Sequence, residues 1–418
     1  MKIKIHRGAK EVGGNCVEIT SSASTILVDL GLPLEFDNSK PAVSCLPQFL
    51  HNSLSRNRSI DGVLLSHPHL DHYGLAGELP QKIPIYCGKA SWDLINATAR
   101  FSPNNFSLPS VKHFNAWGKF QIGNFTITPY LMDHSAFDSY GFLISSEGKN
   151  LFYSGDFRGH GRKSKLLKRL PQSLPAIDIL LIEGTLIGNR NSEIQINESE
   201  LENKFVEIIE QTRGITLVTT SSQNIDRLVT IFKAANRCDN MFIIDFYTAE
   251  ILDILKKYAR LPNASWSRIR VCYPQFLARQ FRNKGMEDIL ERHRTNGIKW
   301  TRINEKKAKI TMLVRPGFRA DIKRFINLDH ASWIYSMWPG YFERSKSLQK
   351  LKSFFLEQGV GYKYLHTSGH ARLNDLKMFV SSLSPNTVIP IHSFHPEQYN
   401  DFFENVKILE DGEEIEIT

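Results

Sequence analysis

Three histidines and one aspartate are crowded into the six residues His67-Pro68-His69-Leu70-Asp71-His72. Their side chains cannot share one face of a helix or strand, but a tight loop after a strand can turn them toward a common point. Imidazole with carboxylate suits zinc, and without cysteine a closed structural zinc finger is not expected. The hexapeptide therefore predicts an open, catalytic metal site.

Further residues with ligand chemistry stand at the ends of short apolar segments that read as strands. These segments span residues 24–31, 61–72, 125–135, 149–157, 176–185 and 387–393, and their period and composition are those of strands. They carry Asp29, His134, Asp156, Glu183 and His392. A lone histidine is more often a core or surface residue, but this ordered series is hard to explain that way. We expect an α/β sandwich whose loops build a site along one edge of its sheets.

A second α/β pattern interrupts this plan near residue 195. Residues 198–213 and 224–237 have helical spacing, and 215–220 and 242–246 read as buried strands, which predicts a separate small parallel sheet. The first plan returns beyond about residue 355, with strands near 360–370 and 387–393 and a helix over 373–383. We therefore expect a first domain from residues 1–195 and 355–418, with residues 196–354 inserted into it.

The charge of the chain is concentrated in one region. The formal net charge is +9, but residues 256–324, called the basic stretch below, carry 19 Lys and Arg against 5 Asp and Glu. A solvated face is the ordinary explanation of such a run. The alternative is a track for a polyanion such as nucleic acid.

Membrane and secretory signals are not found in the sequence. It has no run of eighteen apolar residues, and its first residues lack the apolar core of a signal peptide. Its five cysteines are odd in number and contain no CxxC pair, so they are expected to be reduced thiols. We expect a cytoplasmic protein with no membrane contact.

The order of these motifs resembles the metallo-β-lactamase superfamily, including the DLG sequence at Asp29. The resemblance implies two Zn²⁺ ions, with manganese as an alternative at a His/carboxylate site. One zinc would be held by His67, His69 and His134, the other by Asp71, His72 and His392, with Asp156 bridging them. A hydroxide bridging the metals would be the nucleophile. Asp29 would be a buried support for the His-rich loop.

Within the superfamily, an insert followed by SGH and PxH is similar to the β-CASP nucleases, which include ribonuclease J and the cleavage and polyadenylation endonuclease. The matching residues are Glu183 in motif A, His370 in motif B and His392 in motif C. The fold implied is an αββα sandwich with an inserted α/β β-CASP domain. Besides Asp71, the catalytic residues would be Glu183, orienting a ligand histidine, and His370, contacting the scissile phosphate or protonating the leaving oxygen. Histidine in motif C favours RNA over DNA.

The resemblance also suggests where single-stranded RNA would bind. Residues 219–228 resemble a strand-to-helix turn of the β-CASP insert, so Ser221, Ser222 and Asn224 are candidate phosphate contacts. Helix N-capping is the ordinary role of such residues. Further candidates are Arg315, Arg319, Arg324, Ser368 and His370. Base stacking could use Trp266, Tyr273, Phe276, Phe281 and Trp300, although aromatic residues at such spacing are more often core.

Several alternatives stay open at this point. A DNA nuclease is the nearest rival; a small-molecule hydrolase lacks the insert and the SGH motif, and a scaffold subunit would be expected to lose metal ligands. The sequence does not choose between endonuclease and 5′ exonuclease action. Because the chain ends shortly after His392, we expect a compact enzyme without the C-terminal domain of ribonuclease J. A homodimer is one candidate assembly.

Overall fold

The computed structural model describes residues 1–37, 39–53, 59–102, 106–188 and 196–417, excepting the side chains of residues 51–53. Its strands, in chain order, are β1 (Lys2–Arg7), β2 (Cys16–Thr20), β3 (Thr25–Val28), β4 (Gly62–Leu64), β5 (Ile85–Gly88), β6 (Lys112–Phe114), β7 (Phe120–Ile122), β8 (Phe125–Leu131), β9 (Tyr140–Ser146), β10 (Lys149–Tyr153), β11 (Ile179–Glu183), β12 (Thr216–Thr219), β13 (Met241–Asp245), β14 (Ile269–Cys272), β15 (Ile310–Leu313), β16 (Ser332–Tyr335), β17 (Gly361–Tyr364), β18 (Thr387–Ile391) and β19 (Glu414–Glu416).

The α-helices are α1 (Gln48–Ser53), α2 (Leu70–Tyr73), α3 (Lys89–Ala99), α4 (Lys165–Arg169), α5 (Glu198–Gln211), α6 (Ile225–Arg237), α7 (Phe246–Leu255), α8 (Gln275–Asn283), α9 (Glu287–Arg292), α10 (Trp300–Glu305), α11 (Arg319–Phe325), α12 (Gly340–Arg344), α13 (Lys346–Glu357) and α14 (Leu373–Leu383). Within the described ranges, no helix is both long and apolar enough to cross a membrane. The chain divides into two compact units, Met1–Glu193 with Gly369–Thr418 as unit 1, and Ile194–Ser368 as unit 2.

Unit 1 is built from two mixed sheets that pack face to face. Their strand orders are β19-β1-β2-β3-β4-β5-β6 and β18-β11-β10-β9-β8-β7. Alternate residues of β4 and β11 point to opposite faces, so Leu64 and Leu181 enter the core between the sheets. Val63 instead joins a cluster under helical residues on one outer face, and Leu180 packs with α14 on the other. This confirms the expected αββα sandwich.

Unit 2 is organised around one parallel sheet. Its strand order is β14-β13-β15-β12-β16-β17, and every neighbouring pair is parallel. Helices α5, α6 and α7 begin with side-chain caps: Asn197 forms a capping box on α5, Asn224 accepts from the amide of Arg227 on α6, and Asp245 accepts from that of Thr248 on α7. Because parallel strands end at a common edge, residues following β12, β13 and β15 come together there.

The return of the chain to unit 1 differs from the predicted position at residue 355. Strand β17 pairs with β16, matching Gly361 to Ser332 and Tyr364 to Tyr335, so it belongs to the sheet of unit 2. Unit 1 resumes only at Gly369. The predicted boundary was wrong because a strand that ends near a histidine has the same sequence pattern whichever sheet it joins.

Candidate metal centre

The His-rich loop, residues 67–72, follows β4, and its last three residues form the start of the short helix α2. Asp29, which follows β3, holds this loop from beneath. It is fully buried, and its carboxylate accepts hydrogen bonds from the Ser66 amide (2.7 Å), the Ser66 hydroxyl (2.8 Å), His72 Nδ1 (2.7 Å) and the Tyr153 hydroxyl (2.7 Å). The prediction that Asp29 supports the His-rich loop is therefore confirmed.

Two residues of this region have strained backbone conformations. Asp29 has φ of 56° and His392 has φ of 55°, in the left-handed region that residues with a Cβ seldom adopt. At Gly31, an added Cβ would lie 1.7 Å from the carbonyl oxygen of Asp71, so only glycine permits this close approach. Such strain persists where the surrounding structure imposes it, and it clusters at functional sites.

The first ligand group comprises His67, His69, His134 and Asp156, whose ligand atoms all lie within 4.8 Å of one another. His69 Nδ1 is 3.1 Å from His67 Nε2 and 3.3 Å from His134 Nε2. Two outward contacts fix the rings, because His134 Nδ1 donates to the carbonyl of Gly369 (2.7 Å) and His67 Nδ1 lies 3.0 Å from the Ser66 hydroxyl. Three imidazole nitrogens thus converge on one point beside a carboxylate.

The second ligand group comprises Asp71, His72 and His392, again with all ligand atoms within 4.8 Å. His392 Nε2 lies 3.8 Å from Asp71 Oδ2. Asp156 lies beside both groups, with Oδ2 at 3.7 Å from His67 Nε2 and 3.3 Å from His72 Nε2. The structure therefore brings together all seven residues predicted as metal ligands.

The fit of these residues to metal ions can be judged from their polar atoms. His72 Nε2, His392 Nε2 and both carboxylate oxygens of Asp156 are buried, and none has a hydrogen-bond partner among the described residues. Buried polar atoms in proteins are normally paired, because an unsatisfied one costs about 1–3 kcal/mol. Imidazole nitrogens and a carboxylate left in this state form a donor set that suits zinc.

The protonation of His67 and His134 is consistent with this fit. Burial lowers the pKa of His67 and His134 well below the usual range, and neighbouring imidazoles lower it further. Both rings are therefore neutral, which is the form that binds a metal. Burial also lowers the pKa of His72, but the carboxylates of Asp156 and Asp29 outweigh it and raise that pKa well above its usual range.

Glu183 and His370 form a third group with Asp156. Glu183 accepts from His370 Nδ1 (3.1 Å), from the amide of Phe157 (2.7 Å) and from the amide of Ala371 (3.4 Å). Burial lowers the pKa of His370, but Glu183 and Asp156 raise it overall to about 9. We expected Glu183 to orient a ligand histidine; its ring partner is instead His370, and it also holds the backbone next to Asp156.

Comparison with known families is consistent with this geometry. A model of the beta-lactamase superfamily domain matches residues 39–220. A second model, of the Zn-dependent metallo-hydrolase RNA specificity domain, matches residues 361–398. The chain belongs to the metallo-β-lactamase superfamily.

Similar proteins include distant members of this superfamily. Ribonuclease J of Helicobacter pylori is 21% identical over 452 residues, covering 100% of this chain and 61% of that protein. Ribonuclease J of Mycoplasma genitalium is 23% identical over 409 residues, covering 94% and 67%. Transcription termination factor FttA of Lokiarchaeum is 25% identical over 300 residues, covering 66% and 44%. The chain thus spans about 60% of the length of its Helicobacter relative.

Among solved structures, a protein of unknown function from Enterococcus faecalis V583 superimposes with a TM-score of 0.78 at 18% identity, covering 99% of both chains. This likeness shows the fold. The chain is thus a metallo-β-lactamase superfamily protein, distantly homologous to ribonuclease J and FttA, with an inserted α/β domain of the β-CASP type and His/Asp clusters capable of binding metal.

The unit 2 residues predicted to contact phosphate are engaged with other protein groups. Arg315 donates to the Asp245 carboxylate (2.6 Å) and to the hydroxyls of Ser222 and Thr248. Asn224 caps α6, and the Ser221 hydroxyl accepts from the amide of Gln223 at 3.2 Å. Local hydrogen bonding therefore accounts for these four side chains.

Arg319 and Arg324 are exposed on α11, whereas Ser368 is buried. The arginine of residues 219–228, Arg227, is fully buried and paired with Glu198 at 3.0 Å. The prediction that these residues bind phosphate is not tested by their positions, but Arg227 is placed as an internal support rather than as a surface contact.

Five aromatic residues of the basic stretch are candidates for base stacking, and two of them belong to the core. Phe281 and Trp300 are buried, Trp266 packs against Phe232 with ring centroids 5.2 Å apart, and Tyr273 stacks on Phe246. Phe276 differs, because 62% of its surface is exposed on α8. For the two buried residues, the stacking prediction is wrong because their side chains fill the hydrophobic interior.

The basic residues themselves lie mainly at the surface of unit 2. Several are paired with acids, as in Arg268 with Asp239 and Arg302 with Glu305. A cavity of about 400 Å³ opens where the chain leaves α7, and it is lined by Lys256, Ala259, Arg260, Leu261, Asn263 and Trp266. Cationic and aromatic groups together are suited to nucleotides.

Three supporting residues of the metal centre were missed by the sequence reasoning. Ser66 and Tyr153 both donate to Asp29, and Asn15 lies 3.0 Å from His392 Nδ1. The only local signal is that each is a polar residue in or next to an otherwise apolar strand. The pattern does not reveal their partners, because those partners lie 37 to 377 positions away in the chain.

Proposed function

We propose that this protein is a zinc-dependent phosphodiesterase that hydrolyses nucleic acid, with single-stranded RNA as its substrate. One observation carries the proposal: seven imidazole and carboxylate groups from four separate segments converge, and Asp156 lies beside both ligand groups. A single structural metal needs only four ligands. A convergence of seven ligands is what a two-metal hydrolase requires.

We assign His67, His69 and His134 to one metal, Asp71, His72 and His392 to the other, and Asp156 to both. Two ions held by these residues would lower the pKa of a water between them and would stabilise the charge on the attacking and leaving oxygens of a phosphodiester displacement. The chain supplies their geometry through Asp29, which fixes His72, and through the Gly369 carbonyl, which fixes His134. Manganese could replace zinc in this donor set.

His370 is assigned to the substrate phosphate. Its Nδ1 is bound to Glu183. The other ring nitrogen, Nε2, would therefore face the substrate and donate to a phosphate oxygen or to the leaving oxygen. Glu183 also binds the amide that follows Asp156. One carboxylate therefore fixes the ring of His370 and the backbone of a bridging ligand relative to each other.

RNA is the favoured polymer for three reasons. The matched RNA specificity domain covers residues 361–398, which include His370 and His392. The relatives from Helicobacter and Mycoplasma are named ribonuclease J. The basic stretch provides exposed cations for a phosphate backbone, and Phe276 provides an exposed ring for a base. Action at 5′ ends and internal cleavage both fit this site.

The decisive experiment is cleavage of a 5′-monophosphorylated single-stranded RNA and of the matching DNA, with bound metal measured in the same preparations. Wild type should cut RNA faster and carry about two metals per chain. An Asp71→Ala/His72→Ala variant should lose both properties, and an Asp253→Ala/His330→Ala variant in unit 2 controls for the loss of one aspartate and one histidine.

Three results would count against the proposal. Faster cleavage of DNA would identify a DNA nuclease of the same family. Two bound metals without cleavage of either polymer would point to a small-molecule hydrolase. A wild-type protein that binds no metal would indicate an inactive scaffold subunit.

A further inference from the structure

Asn15 lies at the centre of the proposed metal site although it is not one of the ligands. It immediately precedes β2 and is 1% exposed. Its backbone amide donates to the carbonyl of Asp71 (3.2 Å), and its carbonyl accepts from the amide of Gly31 (2.9 Å). The main chain of Asn15 is therefore fastened to the His-rich loop.

The side chain of Asn15 reaches the opposite side of the site. Its carboxamide nitrogen Nδ2 lies 3.0 Å from His392 Nδ1 and donates to the Tyr153 hydroxyl at 3.4 Å. That hydroxyl donates to Asp29, which in turn accepts from His72 Nδ1. A continuous hydrogen-bonded chain thus connects the two histidines of the second ligand group.

His392 differs from His67, His72 and His134 in what its Nδ1 meets. For His72 and His134, Nδ1 donates to an oxygen, namely Asp29 Oδ2 and the Gly369 carbonyl, and for His67 it faces the Ser66 hydroxyl. An oxygen acceptor at Nδ1 keeps the proton there and leaves the lone pair on Nε2 for a metal. At His392, Nδ1 faces an amide nitrogen instead.

The polar atoms around this contact are mismatched. Asn15 Oδ1 is buried, and within the described part of the chain it has no hydrogen-bond partner; the same holds for His392 Nε2. A 180° turn of the carboxamide exchanges its oxygen and nitrogen with almost no change of shape. Oδ1 would then accept from His392 Nδ1, and His392 Nε2 would carry the lone pair that the metal needs. The same turn would end the donation from Nδ2 to the Tyr153 hydroxyl.

We propose that Asn15 is a positioning residue for the second metal: its carboxamide oxygen accepts the proton of His392 Nδ1 and so selects the tautomer whose Nε2 binds the ion. This inference rests on the ligand set of the proposed function. Asp156 Oδ1 is the other acceptor near His392 Nδ1, at 3.5 Å, but that carboxylate is itself assigned to the metals.

Two substitutions of nearly equal size separate the acceptor from the shape of the side chain. Asn15→Asp retains a side-chain oxygen at either orientation, whereas Asn15→Leu removes every hydrogen bond of the side chain. Zinc affinity is measured by chelator competition on the full chain, with thermal unfolding of the metal-free proteins as a check on folding. We expect Asn15→Leu to bind the more weakly held of its two zinc ions about 10–100-fold less tightly than wild type does. The zinc affinity of Asn15→Asp should remain within a few-fold of wild type.

The tautomer is read directly from long-range ¹H–¹⁵N spectra of histidine-labelled, zinc-loaded wild type, with the His392 signals assigned through a His392→Gln variant. We expect a protonated Nδ1 and a metal-bound Nε2. This measurement needs no Asn15 variant, so it decides the question even if Asn15→Leu does not fold.

The outcomes distinguish this inference from the proposed function. If wild type holds two zinc ions but Asn15→Leu binds both equally tightly, or if Nδ1 of His392 is unprotonated in the loaded protein, Asn15 has no positioning role. If Asn15→Asp loses zinc as Leu does, the acceptor argument is wrong. If wild type itself binds no zinc, the ligand set is at fault instead.

Discussion

The candidate metal centre of unit 1 and the predicted phosphate contacts of unit 2 are both polar clusters beside strand ends, yet they differ in what their atoms bind. In unit 2, Arg315 donates hydrogen bonds to both Asp245 and Ser222. In unit 1, both oxygens of Asp156 and the Nε2 atoms of two histidines have no partner among the described residues. A cluster that satisfies itself supports the fold, whereas buried unsatisfied ligand atoms indicate a site built for an ion.

Arg227 is a further polar side chain of unit 2 that is bound to other protein groups. It lies in the first turn of α6, within the segment 219–228 that resembles a phosphate site, but its guanidinium binds Glu198 at 3.0 Å and the carbonyl of Thr367 at 3.1 Å. These contacts join α6 to α5 and to the segment after β17. A buried arginine paired in this way is costly to break and holds its elements in place.

The largest loss of activity is expected when His370 is replaced. His370→Ala should lower kcat for RNA cleavage by about 10²–10⁴-fold, the usual contribution of a positioned acid or base, while both metals stay bound because His370 is not among their proposed ligands. Single-turnover cleavage and metal analysis on the same sample measure the two effects. His395→Ala is the control, since that ring is exposed and contacts Glu397. Loss of metal in His370→Ala would make it a ligand instead.

A smaller effect is expected when the supporting carboxylates of the two units are exchanged for alanine. Asp29→Ala leaves His72, Ser66 and Tyr153 without their acceptor and should weaken zinc binding about 10–100-fold. Asp245→Ala removes the partner of Arg315 and the cap of α7, and should cost stability, about 1 kcal/mol for the cap, without changing zinc affinity. Chelator competition and chemical unfolding are run on both variants.

Equal loss of zinc in these two variants would mean that the metal responds to general destabilisation. In that case the contrast between a site built for an ion and a self-satisfied cluster would fail. Unchanged zinc affinity in Asp29→Ala would show that His72 needs no orienting carboxylate.

Much of the metal centre could be predicted from the sequence because its residues are carried by elements with strong local patterns. The strand at β4 and its His-rich loop, and the helix α14 over residues 373–383, occur where periodicity places them. Asp29 was recognisable through its motif. Asn15 and Tyr153 were not, because their roles depend on contacts 377 and 124 residues away, with His392 and Asp29 respectively.

Other parts of the fold could not be predicted from local sequence pattern either, because they also depend on contacts with distant residues. Strand β17 could belong to either unit until its pairing with β16 was known. Among the aromatic residues, composition does not distinguish Phe276 from Phe281, although both lie on α8. The helix itself separates them: five residues apart, they point to different sides, so one is 62% exposed and the other 2%.

The smallest expected effect concerns the surface that carries Phe276. On α8, Arg279 and Arg282 are exposed near this ring. If RNA follows this surface, each phosphate contact contributes about 0.7 to the slope of log affinity against log salt concentration. Arg279→Ala/Arg282→Ala should therefore reduce that slope by about 1.4 and weaken RNA binding about tenfold near 0.1 M salt. Fluorescence anisotropy without metal prevents cleavage during the measurement.

Lys346→Ala/Lys350→Ala is the matched control, because these two cations are exposed on α13 in the same unit but lie outside the basic stretch. It removes the same net charge. A slope that changes equally in both variants would indicate a diffuse electrostatic attraction of the whole unit. A change confined to the α8 variant would identify a defined RNA contact on α8.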